Sequence, residues 1–301
     1  EANPVTKPMY LDRRATPGGI TPELLRELAA LVTLGEGRRD VDEVIVPYTG
    51  EVLGTMPHCT ADDVVAAARL ARAAQPAWSR RSFGERAAIF KRFHDLVLER
   101  QDQLLDLIQL ESGKARLHAF EEVLDTAIVA RYYAHHAREF LRPRRRKGAI
   151  TLATKTIEFH HPVGVVGYIE PWNYPLNLGI TDAIAALMAG NTAVLRPDVQ
   201  TPFTALRGVS LLYEAGLPRD VMPVVTGPGR ELGAPIIQNV DFIMFTGSTA
   251  TGKLIARQAA ERLIGCSLEL GGKNPMIVLA DADVEKTAEG AVRGCFVGAG
   301  Q

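Results

Sequence analysis

The sequence predicts an α/β protein built on a doubly wound parallel sheet. From residue 163 onward, short apolar runs at 163–169, 192–196, 221–226, 242–245, 267–270 and 276–279 alternate with helical stretches. That alternation builds a parallel sheet covered by crossover helices. The run at 242–245 leads through Gly247 and Ser248 into a helical pattern over 249–263, which points a helix N-terminus at an anion. Glu269 then closes the following strand just before Gly271-Gly272, at the carboxyl end where such sheets bind ligands. A phosphate-binding turn coupled to a carboxylate on the next strand points to a dinucleotide enzyme.

Taken in order, residues 1–40 hold turn-formers at Pro4, Pro8, Pro17, Gly18 and Gly19, then an amphipathic stretch from Pro22 to Val32, with no legible chemistry. Residues 61–74, 84–112 and 115–140 place apolar residues at three- and four-residue steps, which predicts three long helices. The run Arg142 to Lys147 reads as a solvated basic loop, and 149–160 alternates as a strand. No internal repeat or Ser/Gly linker interrupts the chain, so the domain boundary is placed at Gly271-Gly272. The division expected is an arm and helical part over 1–140, a strand segment over 141–160, a nucleotide-binding core over 161–270 and the start of a second domain over 271–301.

With 301 residues, 47% hydrophobic and 23% charged, the chain has the composition of a globular protein with a large core. A formal net charge of -1 supplies no long-range field toward nucleic acid or a membrane surface. No stretch approaches the roughly 20 apolar residues of a membrane helix, and a cytoplasmic location is expected. The three cysteines, Cys59, Cys266 and Cys295, lack a CxxC spacing and read as reduced interior thiols, with neither a disulfide nor a metal site expected.

Several motifs then occur in a telling order: Pro171-Trp172-Asn173-Tyr174-Pro175, Arg196-Pro197, Phe245-Thr246-Gly247-Ser248-Thr249 and Glu269-Leu270-Gly271-Gly272-Lys273. They are preceded by Pro47-Tyr48-Thr49-Gly50-Glu51, Trp78, Glu85-Arg86-Ala87 and Gly113-Lys114. In this order the chain resembles the aldehyde dehydrogenase family, most closely a succinate-semialdehyde dehydrogenase branch, over all but its first forty or so residues. The resemblance implies NAD(P)-dependent oxidation of a small aldehyde to the carboxylic acid. It also implies a homodimer or homotetramer with residues 141–160 in an oligomerisation hairpin, the partner strand of 149–160 being expected beyond residue 301. The family's nucleophilic cysteine follows a Gly-Gln pair, which aligns it with position 303. The sequence thus reads as a fragment cut at both ends, expected to be inactive and prone to aggregate by itself.

Residue by residue, the resemblance implies catalytic roles for Asn173 and Glu269. It places cofactor contacts at Trp172, Asn173, Arg196, Asp198, Val199, Gly229, Gly247, Ser248 and Leu270. Framed by Pro171 and Pro175, the short Asn173 amide is held at a strand end, as an oxyanion donor requires; the bland reading is a turn residue. Glu269 would activate hydrolytic water if partial burial beside Leu268 and Leu270 raises its basicity; the bland reading is a surface ion pair. Strand parity turns Cys266 into the core, away from Glu269, and Cys295 reads as a small buried hydrophobe. Gly227 to Gly233 forms a competing glycine-rich turn, but the pyrophosphate is assigned to Gly247-Ser248, leaving Gly229 a close approach near the adenine.

Two departures from the family pattern are informative. Arg196-Pro197-Asp198-Val199 stands where Lys-Pro-Ser/Ala-Glu is usual. The ribose-binding Glu is lost to Val199, and the Arg196 guanidinium suits a phosphate, so NADP is preferred over NAD. Asp198 opposes this if it faces the ribose, since like charges about 4 Å apart repel by about 4 kcal/mol at an effective dielectric near 20. Asp182 stands where one semialdehyde dehydrogenase branch has an arginine for the substrate carboxylate, which bears on succinic semialdehyde itself. The competing readings are an inactive nucleotide-binding or assembly protein and an enzyme that passes its acyl group to coenzyme A.

Overall fold

The computed structural model describes residues 19–150 and 153–300. Expectations for residues 1–18, 151–152 and 301 lie outside them. The described chain opens with helix α1 (Pro22–Ala29), whose N-cap Thr21 accepts from Leu24 N. An antiparallel hairpin follows, β1 (Val41–Ile45) with β2 (Val52–Pro57), which the sequence reading did not anticipate.

Four helices come next: α2 (Ala61–Arg80), α3 (Phe83–Glu99), α4 (Gln101–Ser112) and α5 (Arg116–Leu141). Capping boxes start two of them, Thr60 with Asp63 at α2 and Ser82 with Glu85 at α3. Helix α2 outruns its expected end at 74 and passes through Pro76 because Trp78 anchors it. The Trp78 indole is buried and donates to the Leu187 carbonyl at 3.0 Å. The single helix expected over 84–112 is two helices, broken at Arg100, where φ is -108° and ψ is 19°. The apolar period continues across the break, so pattern alone did not reveal it.

The basic run is not only loop: β3 (Arg144–Arg146) pairs antiparallel with β4 (Thr156–Glu158). Among the described residues, the strand expected over 149–160 comprises Thr156–Glu158, one edge of which pairs with Arg144–Arg146. Opposite charges stabilise the pairing, with Arg146 bonded to Glu158.

The sheet comprises β5 (Val165–Ile169), β6 (Thr192–Arg196), β7 (Phe242–Thr246) and β8 (Gly265–Glu269), all parallel in the order β6-β5-β7-β8. Helices α6 (Asn177–Met188), α7 (Pro202–Glu214), α8 (Gly229–Asn239) and α9 (Thr249–Glu261) connect and flank the strands. The chain runs outward from β5 to β6, then returns to the other side of β5 to lay down β7 and β8. The switch point lies between β5 and β7, where doubly wound sheets bind ligands at their carboxyl ends. Strands β5 and β6 are buried at every position, as parallel strands with both faces covered are.

Two expected strands are absent. Residues 221–226 begin in a 3₁₀ turn (Arg219–Val221), and only Val224 makes isolated bridges, to Val32 and Leu195. Residues 276–279 have no regular structure and are 54–81% exposed. One continuous core runs from Ile20 to Ala259 and unites the N-terminal helices with the sheet. Helix α10 (Val284–Phe296) contributes no buried residue.

Candidate active site

All four strands of the sheet deliver their carboxyl ends to one cleft of about 1150 Å³. From β5 come Glu170, Trp172 and Asn173; from β6, Arg196 and Asp198; from β7, Thr246, Gly247 and Ser248; from β8, Glu269 and Leu270. With Gly229 at the start of α8, every sequence-assigned site residue lines this cleft except Val199, which lies outside its lining.

Gly247 and Ser248 form the turn between β7 and α9. A Cβ at Gly247 would lie 2.6 Å from the Phe245 ring, so the close approach requires glycine. Its N–H donates to the Glu269 carbonyl at 2.9 Å, tying the turn to β8. Ser248 is the N-cap of α9, accepting from Thr251 N at 3.2 Å, and the positive end of that helix opens on the cleft. A Cβ at Gly252 would sit 2.5 Å from Leu270, so this glycine lets α9 pack onto the residue after Glu269.

Arg196 is 4% exposed, and its Nε donates to the Gly227 carbonyl at 2.9 Å. Its Nη1 reaches Asp198 Oδ2 at 3.4 Å, while Asp198 Oδ1 accepts from Gln200 N at 3.0 Å. Burial lowers the basicity of Arg196, and Asp198 partly restores it. A Cβ at Gly229 would lie 3.5 Å from the guanidinium carbon, so glycine there leaves the guanidinium face uncovered.

Asn173 is half-buried, and its Oδ1 is buried with no partner among the described residues. Glu269 lines the cleft but is exposed, and Leu270 beside it is 37% exposed, so the partial burial expected of Glu269 is not found. Cys266 and Cys295 are exposed rather than interior; only Cys59 is buried. Cys266 lies on the end strand of the sheet, where parity still turns it from Glu269 but no core covers it. Neither Cys266 nor Cys295 lines the cleft.

Sequence reasoning missed the strongest electrostatic feature. Glu170 is 2% exposed, and neither carboxyl oxygen has a partner among the described residues. Burial pushes its carboxyl far above the ordinary range, and the nearby Asp182 adds to the effect. Asp182, on α6, is pushed up to about 6 by burial and then by the charge of Glu269. Three carboxyl groups thus share one end of the cleft. A glutamate ending an otherwise apolar strand, just before Pro171, was the signal available. Among the described residues no cluster of His, Cys, Asp or Glu is arranged to hold a metal ion, and no helix is long and apolar enough to cross a membrane.

The sequence pattern of the Aldehyde dehydrogenase family matches residues 35–301. A protein of Mycolicibacterium smegmatis named putative succinate-semialdehyde dehydrogenase, NADP(+), is 52% identical over 278 residues, which are 92% of this chain and 53% of that protein. The chain thus spans about half the length of the curated relatives it matches. Among solved structures, an NADP-dependent enzyme of E. coli superposes with a TM-score of 0.85 at 36% identity, covering 90% of this chain and 57% of that one. The NAD+ complex of an aldehyde dehydrogenase from Bacillus cereus gives 0.84 at 35% identity, covering 93% and 59%.

Proposed function

Because the chain belongs to the aldehyde dehydrogenase family, we propose that the whole protein oxidises an aldehyde to the carboxylic acid with NAD(P) as hydride acceptor. The observation that carries this reading is the meeting of Asn173, Glu269 and the Gly247-Ser248 helix start in one cleft at the switch point of the sheet. The names of the mycobacterial relatives support a semialdehyde, such as succinic semialdehyde, as substrate. The assembly proposed is a homodimer or homotetramer.

The cleft fits a dinucleotide in size and in chemistry. Its volume exceeds the roughly 300–1,000 Å³ of ordinary small-molecule pockets. Gly247, Ser248 and the N-terminus of α9 suit the pyrophosphate, and Trp172 and Leu270 supply apolar walls. Arg196 would hold the adenosine end, and because Asp198 is turned onto Arg196 its charge is offset there, which supports NADP over NAD. The bound cofactor supplies a hydride acceptor for the aldehyde C–H.

The chain's own residues act on the carbonyl and on water. The Asn173 side-chain amide donates to the carbonyl oxygen as a cysteine thiolate, from outside residues 1–301, adds to the carbon and negative charge builds. After hydride loss the acyl group is a thioester. Glu269 takes a proton from the water that attacks it, releasing the acid and restoring the thiolate. In the whole protein, Glu269→Gln should leave the first turnover of NADPH formation at the parent's rate and slow steady-state turnover by about a hundredfold. Unchanged steady-state turnover would remove Glu269 from the mechanism.

A further inference from the structure

The loop that carries Asn173 is held from behind by a buried ion pair. Lys114 Nζ donates to Glu122 Oε2 at 2.6 Å, the side chains being 1% and 0% exposed. The other oxygen of Glu122 accepts from the backbone N–H of Leu176 at 2.8 Å and of Asn177 at 3.1 Å. These are leading donors of α6, which has no side-chain cap of its own and whose N-cap residue, Leu176, already has helical angles. The helix that follows Asn173 is therefore capped remotely, from α5. Lys114 also stands over the Tyr174 ring, 3.6 Å from its centroid. On the other flank of Asn173, the Thr201 hydroxyl donates to the Trp172 carbonyl at 3.3 Å. With its own Oδ1 unpartnered, Asn173 takes its position from neighbours fixed on both sides.

We infer that Glu122 is a positioning residue for Asn173: by capping the α6 N-terminus it sets where the Asn173 amide stands relative to the reacting carbonyl, with Lys114 balancing its buried charge. The inference rests on the reading of Asn173 as the oxyanion donor. Burying an ion pair carries a desolvation cost that a local Ser or Asp cap avoids. What a local cap does not supply is a fixed relation between α6 and α5. The two carboxyl oxygens of Glu122 divide that work, one meeting Lys114 and the other the two N–H groups.

Two double variants of the full-length protein test this. Lys114→Met with Glu122→Gln removes both charges and keeps an acceptor for Leu176 and Asn177; Lys114→Met with Glu122→Leu removes the acceptor as well. The first should keep the parent's first-turnover rate, and the second should lose about a hundredfold. The NADP dissociation constant should stay at the parent value in both, since Arg196 ends β6, Gly247 and Ser248 follow β7, and the Trp172 carbonyl is held by Thr201 rather than by Lys114 or Glu122. In an Asn173→Ala background the Met/Leu pair should cost nothing further, because residues acting through one group are not additive. Amide exchange at Leu176 and Asn177 should accelerate only in the Met/Leu variant. Equal rates in the two doubles, losses that multiply on Asn173→Ala, or nucleotide affinity falling in step with rate would each overturn the inference. If Asn173→Ala itself leaves the first turnover unchanged, the reading of Asn173 fails instead. Exchange at Leu176 and Asn177 then decides the brace alone, and unchanged exchange refutes it.

Discussion

At the scale of single residues, the proposed preference for NADP turns on how one buried guanidinium divides its donors. Arg196 commits Nε to the Gly227 carbonyl and one terminal nitrogen to Asp198, and keeps a face toward the cleft because residue 229 is glycine. A phosphate on the ribose would compete with Asp198 for that cation, and hydrogen bonds to charged groups are worth about 1.5–3 kcal/mol. Arg196→Gln is therefore expected to lower kcat/KM for NADP by about tenfold to a hundredfold more than for NAD. NAD serves as the internal control for any loss of folding. An unchanged ratio of the two cofactors would show that Arg196 does not read the phosphate.

At the scale of elements, helix α7 repeats the remote capping seen at α6. Its N-cap Thr201 makes no side-chain cap, and Glu111, at the end of α4, accepts from Phe203 N at 2.8 Å and Thr204 N at 2.6 Å. Glu111 is 3% exposed, and burial pushes its carboxyl from 4.5 up to about 8, against the pull of those donors. A carboxyl whose folded value is raised binds its proton more tightly in the folded state. The stabilisation this gives is fully present below about pH 4.5 and is lost as the pH rises through about 8. Glu111→Gln, which keeps an acceptor and does not ionise, should gain on the parent by a few kcal/mol across that window, read from urea unfolding at a series of pH values. A difference independent of pH would show that Glu111 does not titrate there.

At the scale of the whole molecule, the core ends at Ala259, and the last forty or so residues present apolar side chains outward. Ile277, Val284 and Phe296 are 81%, 78% and 67% exposed. Among the described residues no cysteine lines the cleft. Residues 1–301 expressed alone are therefore expected to give no aldehyde oxidation and to associate, since exposed apolar patches drive self-association. Assay with succinic semialdehyde and both cofactors, beside light scattering, checks this. A monodisperse 301-residue chain that reduces NADP at an enzyme-like rate would refute both expectations.

The sequence by itself determined what is written in consecutive residues. Strand β6 falls at 192–196 as its apolar run predicts, α5 lies within a residue of its expected ends, and the ordered motifs bring Asn173, Gly247, Ser248 and Glu269 to one cleft. These were legible because local periodicity and motif spacing depend on near neighbours. Tertiary structure alone decided the burial of Glu170 and Asp182, the exposure of Glu269 and Cys266, the turning of Asp198 onto Arg196, and the pairing of Arg144–Arg146 with Thr156–Glu158. Each of those depends on which distant segment covers a side chain or supplies its partner. A carboxyl at a strand end reads the same in sequence whether solvent or protein lies over it, and only the folded chain leaves Glu170 2% exposed with neither oxygen partnered among the described residues.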